Sequence, residues 1–131
     1  MADTGGRAFV ALPESAQVID VALDAYPFSA AAAACDALSM GVPVVTWSGE
    51  SRASRVTASV LNTAGSGQTV AADADGYVKT AVDLAHVGVR SLEQRRDLRG
   101  GVAGSALCDE ARFVRKLEDA YRRMWRQFCE G

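Results

Sequence analysis

The chain has 131 residues, room for one domain with a core of its own. Apolar residues make up 49% and charged residues 23%, ordinary for a globular fold, and a net charge of −2 excludes a general nucleic-acid-binding surface. No run is long enough for a membrane span, MADTGGRAF is no signal peptide, and the lone His86 excludes any mechanism or metal site that needs two histidines.

In chain order, Met1 to Gly6 is polar and Gly-rich, and Arg7 to Leu12 has the composition of a strand. Pro13 to Gln17 follows, far shorter than the dozen or more residues that a parallel crossover needs. Ile19 to Leu23 is an apolar run suited to a strand buried on both faces, and it ends at Asp24. Tyr26, Pro27, Phe28 and Ser29 break it. Ser29 is the expected N-cap of a helix from Ala30 to Met40, with Gly41 as its C′ stop. Pro43 to Trp47 is a second strand, Ser48-Gly49-Glu50 a turn, and Ser51 or Arg52 the start of a second helix reaching Leu61. Two apolar strands joined through a helix make a right-handed βαβ unit with parallel pairing. The expected fold class is therefore α/β, a partial Rossmann-like parallel sheet with flanking helices. Ligands of such sheets bind beyond the carboxyl ends of the strands, against helix N-termini, which puts Ser29 and Gly49 to Arg52 along one rim.

Asn62 to Gly67 reads as a loop and Gln68 to Ala71 as a short final strand. Asp73 or Asp75 caps a helix carrying Tyr77, Val78, Ala81, Val82 and Leu84 at helical spacing. Ser91 to Leu98 is another helix, broken at Gly100-Gly101. Asp109 opens the last one, with Phe113, Leu117, Ala120, Tyr121, Met124 and Phe128 on one face and most cations off it. Cys35, Cys108 and Cys129 are odd in number, widely spaced and without a CxxC or zinc pattern, so free thiols in a cytoplasmic setting are expected.

The words VALDAYPF, CDALSMGVPVVTWSGE and SRASRVTASVL, and the tail SALCDEARFVRKLEDAYRRMWRQFCEG, carry a resemblance. Residues 19–131 resemble the distal half of the C-terminal catalytic domain of the O-GlcNAc transferase family, glycosyltransferase family 41, which includes SPINDLY-like and bacterial TPR-linked enzymes. Residues 1–18 depart from it as a divergent or truncated N-terminal segment, where the family normally has a helix. The resemblance implies a GT-B architecture of two Rossmann-like domains, the nucleotide-sugar held mainly by the C-terminal one. It implies transfer of N-acetylglucosamine or another sugar from a UDP-GlcNAc type donor to Ser or Thr of proteins, with neither metal nor cofactor. The family's catalytic His and Lys fall upstream of residue 1, so no catalytic residue is assigned, and the chain is expected to be inactive alone. No TPR array is present in the sequence.

The substrate-binding residues expected from the motif are Ser29, Ala30, Ala31, Ala32, Asp36, Gly49 and Arg55. The amides at the start of the first helix suit a diphosphate. The family places hydroxyl or imidazole side chains there, whereas this chain has alanine from Ala30 to Ala34. Each lost hydrogen bond to a charged group is worth about 1.5–3 kcal/mol, so two or three losses weaken donor affinity about a hundredfold or more. The run is equally well read as a good buried helix. Asp36 matches an acidic position that bonds ribose hydroxyls in the family, or is a solvated helix carboxylate. Gly49 lies in the loop after the second strand. Arg55 is placed to pair with a phosphate or to hold Glu50, and Trp47 to stack on a ring or to fill the core. Two functions remain open: a transferase fragment completed by a protein partner that supplies the missing catalytic half, and a degenerate, non-catalytic interaction module. In both, an open sheet edge or apolar face points to a partner or a homo-oligomer.

Overall fold

A computed structural model describes residues 19–86 and 92–131. The readings of Arg7 to Leu12 as a strand and of Pro13 to Gln17 as a short link lie outside the described residues. Three short parallel strands stand side by side in chain order: β1 (Ala22–Leu23), β2 (Val44–Trp47) and β3 (Val70–Ala71). Ala22 pairs with Val44 and Leu23 with Val45; Thr46 pairs with Val70 and Trp47 with Ala71. The parallel βαβ unit and the α/β class expected from the apolar runs are both present.

The first strand is shorter than expected and is not buried on both faces. Among the described residues it ladders only onto β2, through Ala22 N to Pro43 O and Asp24 N to Val45 O, each 2.9 Å. Leu23 is 58% exposed, so the face of the sheet to which it points is uncovered there. The central β2 does carry a continuous buried run, Val44, Val45 and Thr46.

Helix α1 (Ala31–Ser39) packs Ala34, Ala37 and Leu38 against Val42, Val44, Leu61, Ala64 and Val102, which together form the core. It ends as expected at Gly41. The Gly41 amide bonds the Leu38 carbonyl and the Val42 amide bonds the Ala37 carbonyl, both at 2.9 Å. Gly41 has φ of 75°, and a Cβ there would collide with the Arg95 carbonyl of a later helix.

Helix α2 (Val56–Thr63) begins later than Ser51 or Arg52. The serines take the backbone for themselves: Ser54 N donates to Ser51 Oγ at 3.2 Å and Ser54 Oγ to Ser51 O at 2.9 Å, which holds residues 51–55 in turns. Helix α3 (Ala74–His86) is capped by Asp73, whose Oδ1 accepts from Gly76 N at 2.7 Å.

Helix α4 (Leu92–Ala103) runs through Gly100 and Gly101, where a break was expected. Two glycines cost helix propensity, but Val102 beyond them is buried in the core, and Gly104 N still bonds Gly100 O at 3.0 Å. Arg95 of α4 is itself buried; its Nη2 donates to Ile19 O at 2.8 Å and to Asp20 Oδ1 at 3.2 Å. Helix α5 (Glu110–Glu130) opens at Asp109, whose Oδ1 accepts from Arg112 N at 2.9 Å, and none of its residues is buried.

Candidate functional site

The carboxyl ends of β1 and β2 define a rim, and Asp24 organises it. This residue leaves β1 with its side chain buried. Asp24 Oδ1 accepts from the Ala30 amide at 2.8 Å, and Oδ2 from the Thr46 hydroxyl at 2.7 Å. Its carbonyl accepts from the Tyr77 hydroxyl at 2.9 Å. Burial first, and then the Asp24 charge, push the Tyr77 phenol above its ordinary pKa, so it stays a neutral donor through the physiological range. One carboxylate thus fixes the head of α1, the tip of β2 and, through its backbone, α3.

Ser29 does not cap α1. Residue Ala30 stands at the N-cap position with no side-chain bond. Ser29 instead reaches across to the loop before α2. Its Oγ donates to Ala53 O at 2.6 Å, its amide bonds the same carbonyl at 3.1 Å, and its Oγ accepts from Thr57 N at 3.3 Å. The side chain therefore latches the head of α1 to the start of α2. Beside this latch the Thr57 hydroxyl is buried and has no hydrogen-bond partner among the described residues.

Ala30, Ala31 and Ala32 sit at the head of α1. The first intrahelical bond runs from Ala34 N to Ala30 O at 3.0 Å, so the Ala31, Ala32 and Ala33 amides precede the ladder. Ala30 and Ala33 line a recess with Ala22, Asp24 and Val44. Gly49 and Arg55 line a separate open groove with Tyr26, Pro27, Trp47 and Ser48. Asp36 is exposed on the face of α1 that also carries Ala32 and Ser39, and it lines neither feature. Among the described residues Arg55 forms no ion pair with Glu50. Half-buried Cys35 has its thiol pushed up by burial, then by the charges of Asp36 and Cys108, so it is mostly protonated at neutral pH.

Sequence reading put Trp47 on a ring or in the core, and did not anticipate Tyr26 as its partner in the groove wall. Tyr26 and Trp47 stack with ring centroids 3.8 Å apart and planes 13° from parallel, and Trp47 Nε1 donates to Ala72 O at 3.2 Å. The available signal was position: each aromatic lies just beyond, or at the end of, one of two paired strands. Gly49 belongs to this wall, since a Cβ there would come within 2.7 Å of Ser54 Oγ and 2.9 Å of the Tyr26 ring.

Comparison with known proteins gives a consistent result. The model of the family "Glycosyl transferase family 41" matches residues 13–116. The chain is 42% identical over 114 residues to the probable UDP-N-acetylglucosamine--peptide N-acetylglucosaminyltransferase SPINDLY of Oryza sativa subsp. japonica, covering 87% of this chain and 12% of that protein. Its identity to the Arabidopsis thaliana SPINDLY protein is 40% over 114 residues, with the same coverage of 87% and 12%. Among solved structures, a mutant of the Thermobaculum terrenum O-GlcNAc transferase superposes with a TM-score of 0.72 at 40% identity, over 86% of this chain and 22% of that one. The chain thus spans about an eighth of the length of these curated relatives, 12% of each. Within that span both the fold and the sequence match, and the chain belongs to glycosyl transferase family 41, homologous to part of the catalytic region of the O-GlcNAc transferase and SPINDLY proteins.

Proposed function

We propose that this chain forms the nucleotide-sugar side of a protein glycosyltransferase, taking a UDP-GlcNAc type donor and serving transfer to Ser or Thr of proteins. The observation that carries this reading is the latched head of α1. Its Ala31, Ala32 and Ala33 amides precede the helix ladder at the carboxyl edge of a parallel sheet. Those amides and the helix dipole favour a diphosphate. Asp36, farther along α1 and exposed, offers two acceptor oxygens to a ribose diol. Arg55 contributes an exposed cation in the adjoining groove, where Gly49 keeps the loop close to Tyr26. Asp24 and Ser29 hold this arrangement in place. Acceptor and catalytic groups belong to a further catalytic half, so these 131 residues alone turn over no donor.

Titration calorimetry with UDP tests the reading. Wild type binds weakly, Asp36→Ala binds more weakly still, and the combined Ala31→Thr, Ala32→Thr, Ala33→Thr protein binds more tightly because it regains hydroxyl donors. A specific observation favours a second reading, a degenerate interaction module. Positions 30–34 carry only methyl side chains. If neither wild type nor the triple variant gives a UDP signal, the donor reading fails and the interaction module stands.

A further inference from the structure

Helices α1 and α4 lie side by side and run in opposite directions. Arg95, in the first turn of α4, presses on Gly41 just past the end of α1. Seven residues on, Val102 shares the core with Ala34, which stands seven residues before Gly41. Each interval spans about 10 Å at the α-helical rise, so the end of α4 comes level with Ala34. The sheet gives the same direction. Arg95 bonds Ile19 and Asp20 just before β1, so α4 starts at the amino edge of the strands and climbs toward the carboxyl edge. Beyond Val102 the chain folds back on itself. Ser105 N and Oγ donate to Val102 O at 3.1 and 2.7 Å, Leu107 N to Ser105 Oγ at 3.2 Å, and Cys108 N to Ser105 O at 3.2 Å. These turns hold Cys108 at the end of α4, beside the part of α1 that carries Cys35. The two thiols feel each other. After burial and the Asp36 charge, the Cys108 charge raises the Cys35 thiol, a repulsion that only a near neighbour exerts.

We propose that Cys35 and Cys108 form a redox pair, which a small disulfide such as oxidised glutathione closes into an intramolecular bond between α1 and the α4–α5 turn. Both thiols are free in the structure, Cys108 exposed and Cys35 half-buried, which sets the order of events. The Cys108 thiolate attacks one sulfur of glutathione disulfide; the S–S bond breaks, and one glutathione thiolate leaves and takes a proton from water. Cys35 then gives its proton to solvent, and its thiolate attacks the Cys108 sulfur of the mixed disulfide and expels the second glutathione. Two protein thiols together lose two electrons, and one glutathione disulfide is reduced to two thiols. The bond needs Cα atoms within about 7 Å. No residue from Ala103 to Asp109 is buried, so this turn can close on Cys35 without opening the core. Cys129 lies at the far end of α5, about 30 Å from Cys108 at the helical rise, out of its reach within one chain. The bond joins residues far apart in sequence and fastens α4 to α1, so the oxidised chain resists unfolding. This inference stands apart from donor binding.

The full chain carrying Cys129→Ser tests it. The folded protein is incubated with glutathione disulfide at neutral pH, quenched with iodoacetamide and read by intact mass and peptide mapping. The expected product is a single chain two hydrogens lighter, unlabelled at both cysteines, with a cross-linked Cys35–Cys108 peptide pair. Its thermal midpoint rises by about 10 °C, and dithiothreitol reverses both changes. Adding Cys35→Ser stops the reaction at the glutathione adduct on Cys108, and adding Cys108→Ser abolishes the cross-link. In urea, where α1 and α4 separate, the internal bond forms at least about tenfold more slowly. Glutathione adducts on both cysteines without a cross-link overturn the proposal, as does an internal bond that forms equally fast in urea or lowers the thermal midpoint.

Discussion

Replacing Asp24 by alanine removes two hydrogen bonds at once and strands both donors. The Thr46 hydroxyl has no exposed surface, so water does not replace the lost carboxylate there, and the Ala30 amide loses its side-chain acceptor. Each bond to a carboxylate contributes about 1.5–3 kcal/mol, which sets the cost of Asp24→Ala at roughly 3–6 kcal/mol. That is a large share of the ~5–15 kcal/mol that holds a domain folded. Asp24→Asn keeps one acceptor oxygen for Ala30 N, and the Thr46 hydroxyl can rotate to accept from the new amide group, so its cost is nearer 1 kcal/mol. Thr46→Val leaves one carboxylate oxygen unpaired, and a double-mutant cycle with Asp24→Ala gives a coupling of about 1–2 kcal/mol. Urea denaturation followed by far-ultraviolet circular dichroism, at one fixed protein concentration, reads wild type and all four variants. An Asp24→Ala cost below about 1 kcal/mol, or additive single variants, would refute the bridging role of this carboxylate.

Three further outcomes follow from the geometry. Gly41→Ala forces a side chain into a φ of 75° and against the Arg95 carbonyl; thermal unfolding shows a loss of at least about 2 kcal/mol, and an unchanged midpoint would mean that α4 does not press on this turn. Gly49→Ala pushes on Ser54 and the Tyr26 ring, so the emission of Trp47, read in a Trp125→Phe background, changes as the stack opens. Burial and the neighbouring Asp36 and Cys108 charges raise the Cys35 pKa, so its thiolate fraction at neutral pH is small. Its alkylation by iodoacetamide therefore lags that of exposed Cys108 and Cys129 and accelerates as pH rises toward the thiol pKa; mass spectrometry of partly labelled protein checks the order.

Where sequence and structure agree, the controlling interactions are local. The Gly41 stop needs only a residue that tolerates positive φ, and the Asp109 cap reaches only to Arg112. The apolar runs around a helix-forming stretch suffice for the parallel pairing of β1 and β2. Where they differ, a distant partner decides. Ser29 has the right chemistry for a cap, but the Ala53 carbonyl, 24 residues away, takes its hydroxyl. The glycines of α4 look like a break until Val102 is seen to reach the core. The apolar composition of β1 carries no information about which face of the sheet is covered, so the exposure of Leu23 was hidden. The site divides in the same way. The positions of its motif residues follow from single elements, whereas the Tyr26–Trp47 wall depends on β1 and β2 standing side by side, which brings together residues that sequence distance separates.

Arg95 bears on the order in which this chain folds. Its bond to the Ile19 carbonyl joins residues 76 positions apart, whereas β1, α1 and β2 find each other within a few turns of chain. Closing so long a loop is entropically unfavourable before the rest is in place, so the contact belongs to the native side of the folding barrier. Substitutions at Arg95 should then hasten unfolding while leaving refolding nearly unchanged, with a φ-value close to zero. In that sense α4 acts as a bolt: it sets how long the βαβ unit stays closed, and the unit assembles without it.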